Sequence, residues 1–281
     1  MRNIKIILEF DGTGFHGWQA QSGTGQRTVQ EEVERAISRL AGEKVKATSS
    51  GRTDAGVHAF GLVANFRTAR EIPATAWAPA LNRLLPGDVR VIVSEQVPDE
   101  FHARFSARGK VYRYLVLNAH EPTAIFRDHA WHVAKPLRMK IMRDAAKSLL
   151  GRRDFSSFRA SQCGAESPIR TLRSIEIRKR GAFIEFTLEA DAFLMHMARN
   201  IVGTLIEAGL GRFTREDVKR ILRARSRSAA GIVAPPQGLY LMHVFYPRKM
   251  AEKGRLRKSV TKKSTFSLLQ KSRQERSLKY Q

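Results

Sequence analysis

One carboxylate, Asp54, stands between Gly51 and Gly56 in the stretch SSGRTDAGVHAF, residues 49–60, with Arg52 two positions before it. Glycines at such places admit positive φ and leave room for another molecule beside the backbone. The carboxylate is therefore set for close approach of a substrate. A single ionised carboxylate so placed can stabilise developing positive charge, attack an electrophilic carbon or take a proton. The stretch joins two strand-like runs, KVKATSS (44–50) and FGLVANF (60–66), which predicts a loop held by sheet at both ends, where chemistry tends to concentrate. The local pattern also fits a plainer reading, with Asp54 a turn residue and the glycines present only for the bend.

Two further side chains could serve such a carboxylate. In KVYRYLVL (110–117), strand alternation puts Lys110, Tyr112, Tyr114 and Val116 on one face and Val111, Arg113, Leu115 and Leu117 on the other. Tyr112 then faces the same cleft as Asp54 if this strand lies beside the one feeding the loop; a core tyrosine with a satisfied hydroxyl is the alternative. Arg199 lies in a long apolar helical stretch beside His196 and Asn200, and an arginine in such surroundings calls for an anion. His129 and His132 have no Cys or carboxylate constellation with them, so a surface strand is expected there and no metal site. His58 and His102 are assigned to structural hydrogen bonding, and GTGQ (23–26) lacks the lysine and the strand-to-helix setting of a phosphate loop.

The elements that must position these residues follow from periodicity. Ile4, Ile6, Leu8 and Phe10 alternate and predict a strand with one buried side. The glycine-rich turn DGTGFHGWQAQ (11–21) follows, with Trp18 as a core anchor. Thr28 and Glu31 form a capping-box pattern, and Val29, Val33, Ala36, Ile37 and Leu40 then repeat at helical spacing until Gly42. A helix carrying Trp77, Ala80, Leu81 and Leu84 is stopped by Pro86 and Gly87, before a strand with Val89, Val91 and Val93. This order, strand, helix, strand, strand, helix, strand, is that of a ferredoxin-like, RRM-like α+β unit, whose helices lie on one face of a mainly antiparallel sheet. The opposite face would be open to RNA.

From about residue 105 the theme repeats loosely: a strand at 110–117, a helix with Met139, Met142, Ala146 and Leu149, and two strands joined by a turn at Gly181. An apolar helix from near Phe193 (Phe193, Met197, Ile201, Leu205, Ala208), a helix capped by Thr214 and a strand at 239–246 complete it. The expected organisation is an N-terminal α/β subdomain at 1–105 carrying the Asp54 loop, a C-terminal one at 106–247, an active cleft between the two halves, and a basic tail at 248–281. The tail holds twelve Lys or Arg against two Glu, a composition expected to stay disordered or to fold on a partner.

Charge sets the partner class. Fifty Lys plus Arg against twenty-six Asp plus Glu give a formal net charge of +24, which predicts a polyanionic partner. Nucleic acid and anionic membrane both qualify, and a non-catalytic RNA-binding module would carry the same charge. The lone Cys163 cannot form an intramolecular disulfide and suits a reducing compartment. No apolar run approaches a membrane span, and the N-terminus lacks the apolar core of a signal peptide. A cytoplasmic protein is expected.

GRTDAGVHA resembles the signature of the tRNA pseudouridine synthase A family, and stretches similar to further family motifs follow in order. They are EFDGTGFHGWQAQ (9–21), LPGDVRV (85–91), FHARFSARGKVYRY (101–114), DFSSFRA (154–160), DAFLMHMARNIVG (191–203) and QGLYLMHVFYP (237–247). The resemblance covers roughly residues 3 to 247. It implies an isomerase that converts uridine to pseudouridine at positions 38–40 in the anticodon stem-loop of tRNA, working as a homodimer without cofactor or metal. Residue by residue, it implies that Asp54 is the essential catalytic carboxylate and that Tyr112 packs on the target uracil. It also implies that Arg52 enters the RNA and stabilises the flipped base, and that Arg199 pairs with the catalytic aspartate. Departures lie mainly in the tail and at Met195 and Ala198.

Overall fold

The computed structural model describes residues 1–21, 23 and 25–247. The basic stretch 248–281 lies outside the described residues, as does part of GTGQ. Ten strands and five α-helices occur among the described residues, with mainly antiparallel pairing, in two compact units.

The first unit comprises Met1–Lys110 and the chain from Tyr240. Its elements are β1 (Arg2–Phe10), α1 (Val29–Ala41), β2 (Ala47–Ser49), β3 (His58–Thr68), α2 (Trp77–Leu84) and β4 (Val89–Val97). β1 lies between β4 and β3, antiparallel to both, and β2 is antiparallel to the later part of β3, Ser49 opposite Ala64. This is the ferredoxin-like order that the sequence predicts. A late strand, Leu239–Phe245, runs parallel to the start of β3, Tyr240 opposite His58.

Local chemistry explains the helices. Thr28 caps α1, its hydroxyl accepting from Glu31 N and donating to the Glu31 carboxylate at 2.8 Å, while Val29, Val33 and Ile37 bury one stripe. Gly42, at φ 73, ends the helix in the left-handed region. In α2, Trp77 is fully buried and meets Phe66 edge-on with ring centroids 5.0 Å apart. The predicted strand at 44–50 shrinks to Ala47–Ser49, because Val45 N binds the Ser38 hydroxyl and Lys46 pairs with Glu34 on α1.

β1 departs from the one-sided pattern, since Asn3, Lys5 and Ile7 are buried as well as Ile4, Ile6, Leu8 and Phe10. Asn3 Nδ2 donates to the carbonyls of Pro98 and Phe101, Lys5 pairs with Glu95, and the Lys5 ammonium lies over the rings of Phe101 and Tyr246. The segment after β4 thus covers part of the face that alternation left open to RNA. Polar residues in a strand look solvent-facing in sequence, and here long-range carbonyls and a carboxylate satisfy them instead.

The second unit spans Val111–Leu239. It holds β5 (Gly109–Leu117, its first two residues belonging to the first unit), β6 (Trp131–His132), α3 (Met139–Lys147), β7 (Gly151–Asp154), β8 (Ile169–Arg180), β9 (Phe183–Ala190), α4 (Met197–Gly209) and α5 (Arg215–Ala224). The late strand Leu239–Phe245 is β10. The sheet order within this unit is β5-β9-β8-β7, with β6 parallel to β5. Thr214 caps α5 through a reciprocal capping box with Asp217.

The helix predicted from near Phe193 starts four residues later, at Met197. His196 takes a left-handed φ of 62, and Met197 N closes a turn onto Leu194 O at 3.0 Å. Phe193 therefore keeps the apolar spacing of the helix without belonging to it, and is free to pack elsewhere.

Candidate active site

Asp54 sits in the loop between β2 and β3, half-buried, and a second loop backs it by direct main-chain contact. Trp18 N donates to Thr53 O at 3.2 Å, and Gly56 N donates to Phe15 O at 3.2 Å, so one such bond lies on either side of Asp54. The Asp54 carbonyl accepts from Val57 N at 3.2 Å, closing a turn that places Gly56 at φ 76. The approach is too tight for side chains: a β-carbon on Gly12 would stand 2.1 Å from Val57 O, and one on Gly17 2.3 Å from Thr53 O.

The backing loop is itself anchored. Gly17 O and Trp18 O accept from Val29 N and Gln30 N, two of the N–H groups that the start of α1 leaves without helical partners. The Trp18 indole is 2% exposed, which fixes the loop in the core as its sequence suggests. Arg27 lies over the Phe15 ring at 4.1 Å and binds both carboxylate oxygens of Asp88. His58 Nδ1 lies 3.0 Å from Gly12 N and 3.2 Å from Asp11 Oδ1, and its ring stacks on Tyr240. Burial pushes the Asp11 carboxyl up, but the His58 and Thr13 hydrogen bonds outweigh it and hold it well below the usual range. His58 makes a structural hydrogen bond of the kind expected, accepting from Gly12 N. So does His102, whose Nδ1 accepts from Arg104 N and Phe105 N.

The two glycines that bracket Asp54 do different work. Gly56 supplies the positive φ, whereas Gly51 lacks it and makes room for the Lys110 ammonium, which lies 2.5 Å from where its β-carbon would be. Burial pushes that ammonium down to about 8, and repulsion from Arg104 adds to the effect. Arg52, between Gly51 and Asp54, is exposed.

Tyr112 and Arg199 belong to the second unit. Tyr112, on β5, is buried and receives Phe193 against its ring, with centroids 4.8 Å apart and planes at 79°. Arg199 lies in the first turn of α4. Its Nε donates to Ala234 O at 2.8 Å, while Ala234 N donates back to Arg199 O at 3.3 Å. The segment leading to Ala234 is fastened along α4: Gly231 N donates to the Thr204 hydroxyl at 3.1 Å, and that hydroxyl donates to Asn200 O. Tyr114, two residues from Tyr112, donates its hydroxyl to Pro235 O at 2.6 Å; burial pushes this phenol far up, opposed by the charge of Arg199. His132 is held to Ala119 O at 2.8 Å, on the short strand β6.

Sequence reasoning missed the backing of the Asp54 loop by Gly12 and Gly17, and the placing of Lys110 against Gly51. The signal was there as glycines spaced through DGTGFHGW, but their close contacts are with residues about forty positions away and leave no local pattern.

A glycine-framed carboxylate thus stands on a ferredoxin-like α+β unit, braced from behind by a second loop and two residues from an exposed arginine. Residues 6–106 and 145–247 match the tRNA pseudouridine synthase family model, and the chain belongs to that family. Curated relatives agree along nearly the whole described chain. The tRNA pseudouridine synthase A of Acetivibrio thermocellus is 44% identical over 246 residues, covering 88% of this chain and all of that protein. The one from Thermoanaerobacter sp. (strain X514) is 45% identical over 246 residues with the same coverage, and that of Geobacter sp. (strain M21) is 44% identical over 248 residues, also covering 88% and 100%. As a member of this family the protein is an isomerase that acts on uridine in tRNA. No helix among the described residues is long and apolar enough to cross a membrane.

Proposed function

We propose that the protein isomerises uridine to pseudouridine in the anticodon stem-loop of tRNA, at positions 38–40, with Asp54 as the catalytic carboxylate. The observation that carries this reading is the Asp54 loop itself. It lies within the family match, its carboxylate is half-buried, and its backbone is pinned on both sides by the 12–18 loop.

The chemistry asks for little more. The bond from ribose C1′ to uracil N1 breaks, the base turns, C5 bonds to C1′, and the C5 proton is lost while N1 gains one, so atoms and electrons balance without a co-reactant. Cleavage builds positive character on the sugar, and a single ionised carboxylate stabilises it or bonds to it. Glycoside hydrolysis normally uses two carboxylates and a water; here the base is retained and one acid suffices.

Tyr112 is the residue that packs on the uracil, and its edge contact with Phe193 fixes the ring plane. Arg199 is the cation that pairs with the catalytic carboxylate and orients it. Arg52, exposed in the Asp54 loop, enters the RNA and stabilises the flipped base. Unstacking the target costs about a few kcal/mol, offset by phosphate contacts from a chain carrying +24. The working form is a cytoplasmic homodimer, and the basic tail adds an arm for RNA.

The test is incubation with unmodified tRNA, without added cofactor or metal, and mapping of pseudouridine at single-nucleotide resolution. Product in the anticodon arm is expected. Salt-sensitive binding with no product on any tRNA would favour a non-catalytic RNA-binding module instead.

A further inference from the structure

Lys110 is an anomaly in the first unit. Its ammonium lies against the backbone of Gly51, three residues before Asp54, in space that any other residue at position 51 would contest. Among the described residues it has neither a hydrogen-bond nor an ion-pair partner. The charge of Arg104 repels it. Arg104 is exposed, lies over the ring of Phe105 with its guanidinium 5.7 Å from the centroid, and is followed by a ring that is 75% exposed. A largely buried cation that has no partner among the described residues and feels the repulsion of a second cation is costly to the fold. Such a cost is expected where the missing anion arrives with a ligand.

We infer that Lys110 and Arg104 form a receptor for a backbone phosphate of the substrate RNA, next to the Asp54 loop. The inference rests on the reading of this chain as an enzyme acting on RNA. The ligand class follows from the chemistry: a compact ammonium whose charge is felt by that of a forked guanidinium suits a phosphodiester oxygen pair. Gly51 is then explained as the residue whose missing side chain lets the ammonium stand in line with the catalytic loop. A phosphate held there would fix the register of the strand relative to Asp54, which makes Lys110 a positioning residue.

The test compares wild type, Lys110→Met and Lys110→Arg in two measurements: binding of an unmodified tRNA transcript across a salt series, and unfolding in urea. For a phosphate receptor, Lys110→Met binds roughly tenfold more weakly near 0.1 M salt, and its plot of log affinity against log salt is shallower by about one phosphate contact, ~0.7 to 0.9 in slope. Its urea midpoint is no lower than that of wild type, because a desolvated charge has been removed. Lys110→Arg recovers most of the affinity. Unchanged affinity in Lys110→Met would overturn the inference, as would weaker binding accompanied by a lower urea midpoint, which would mark Lys110 as a structural residue. If wild type forms no pseudouridine while Lys110→Met still loses affinity with its stability intact, the phosphate receptor stands and the enzymatic reading falls.

Discussion

The carbonyl oxygen of Thr53 lies 2.3 Å from the point where Gly17 would carry a β-carbon. Two loops far apart in sequence therefore touch main chain to main chain one residue from the candidate catalytic carboxylate. Gly17→Ala meets two penalties, the clash with Thr53 and a φ of 83 that L side chains avoid. It is expected to destabilise the protein by at least ~2 kcal/mol and to lower pseudouridine formation further, by displacing Asp54. Urea unfolding and single-turnover assays on the same preparation check both parts.

The cap of α1 reaches the site through the same loop. Thr28 is fully buried, and the helix start that it organises holds Gly17 O and Trp18 O. Thr28→Ala should cost about 1 kcal/mol. Hydrogen exchange at the Val29 and Gln30 amides should quicken beyond what the global loss of stability explains.

Lys110 makes a prediction about pH. Its folded pKa is lowered from 10.5 to about 8. Below pH 8 both folded and unfolded chains carry the charge, so the whole cost of burying it is present. Between pH 8 and 10.5 only the unfolded chain holds the proton, so stability rises with pH relative to a chain without the group. Lys110→Met should therefore be more stable than wild type at pH 7 by about 1–3 kcal/mol, and the gap should close by pH 10.5. Paired urea titrations at pH 7 and 10 measure it, and a gap that does not narrow contradicts the account.

Phe193 supports Tyr112 edge-on. Removing that ring forfeits an aromatic pair worth about 0.5–1.5 kcal/mol and frees Tyr112 to turn. Phe193→Ala should reduce the single-turnover rate several-fold, while Phe193→Leu, which keeps the apolar contact but not the edge, should fall between. Equal rates for wild type and Phe193→Ala would show that the ring plane of Tyr112 does not need this support.

How much of this was legible beforehand depended on the range of the interactions. The span of α1 could be read from Thr28, the Val29–Val33–Ile37 stripe and Gly42, all local signals. The hairpin of β8 and β9 could be read from the turn at Gly181, and the Asp54 loop from the strands at its ends. The start of α4 could not, because the left-handed turn at His196 leaves the apolar spacing of Phe193 and Met197 intact. Nor could the burial of Asn3 and Lys5, whose partners lie about ninety residues on. Around the site, residue types and glycine spacing marked the Asp54 loop. What each glycine is for depended on Thr53, Val57 and Lys110, which only the folded chain brings alongside.

The most direct test of the central claim is to map pseudouridine on one unmodified tRNA transcript after incubation with wild type and with Asp54→Asn. The substitution removes the charge while nearly keeping the shape, so the folded loop and RNA affinity should survive. The account predicts pseudouridine in the anticodon arm with wild type and none above background with Asp54→Asn. Appreciable product from Asp54→Asn would contradict it.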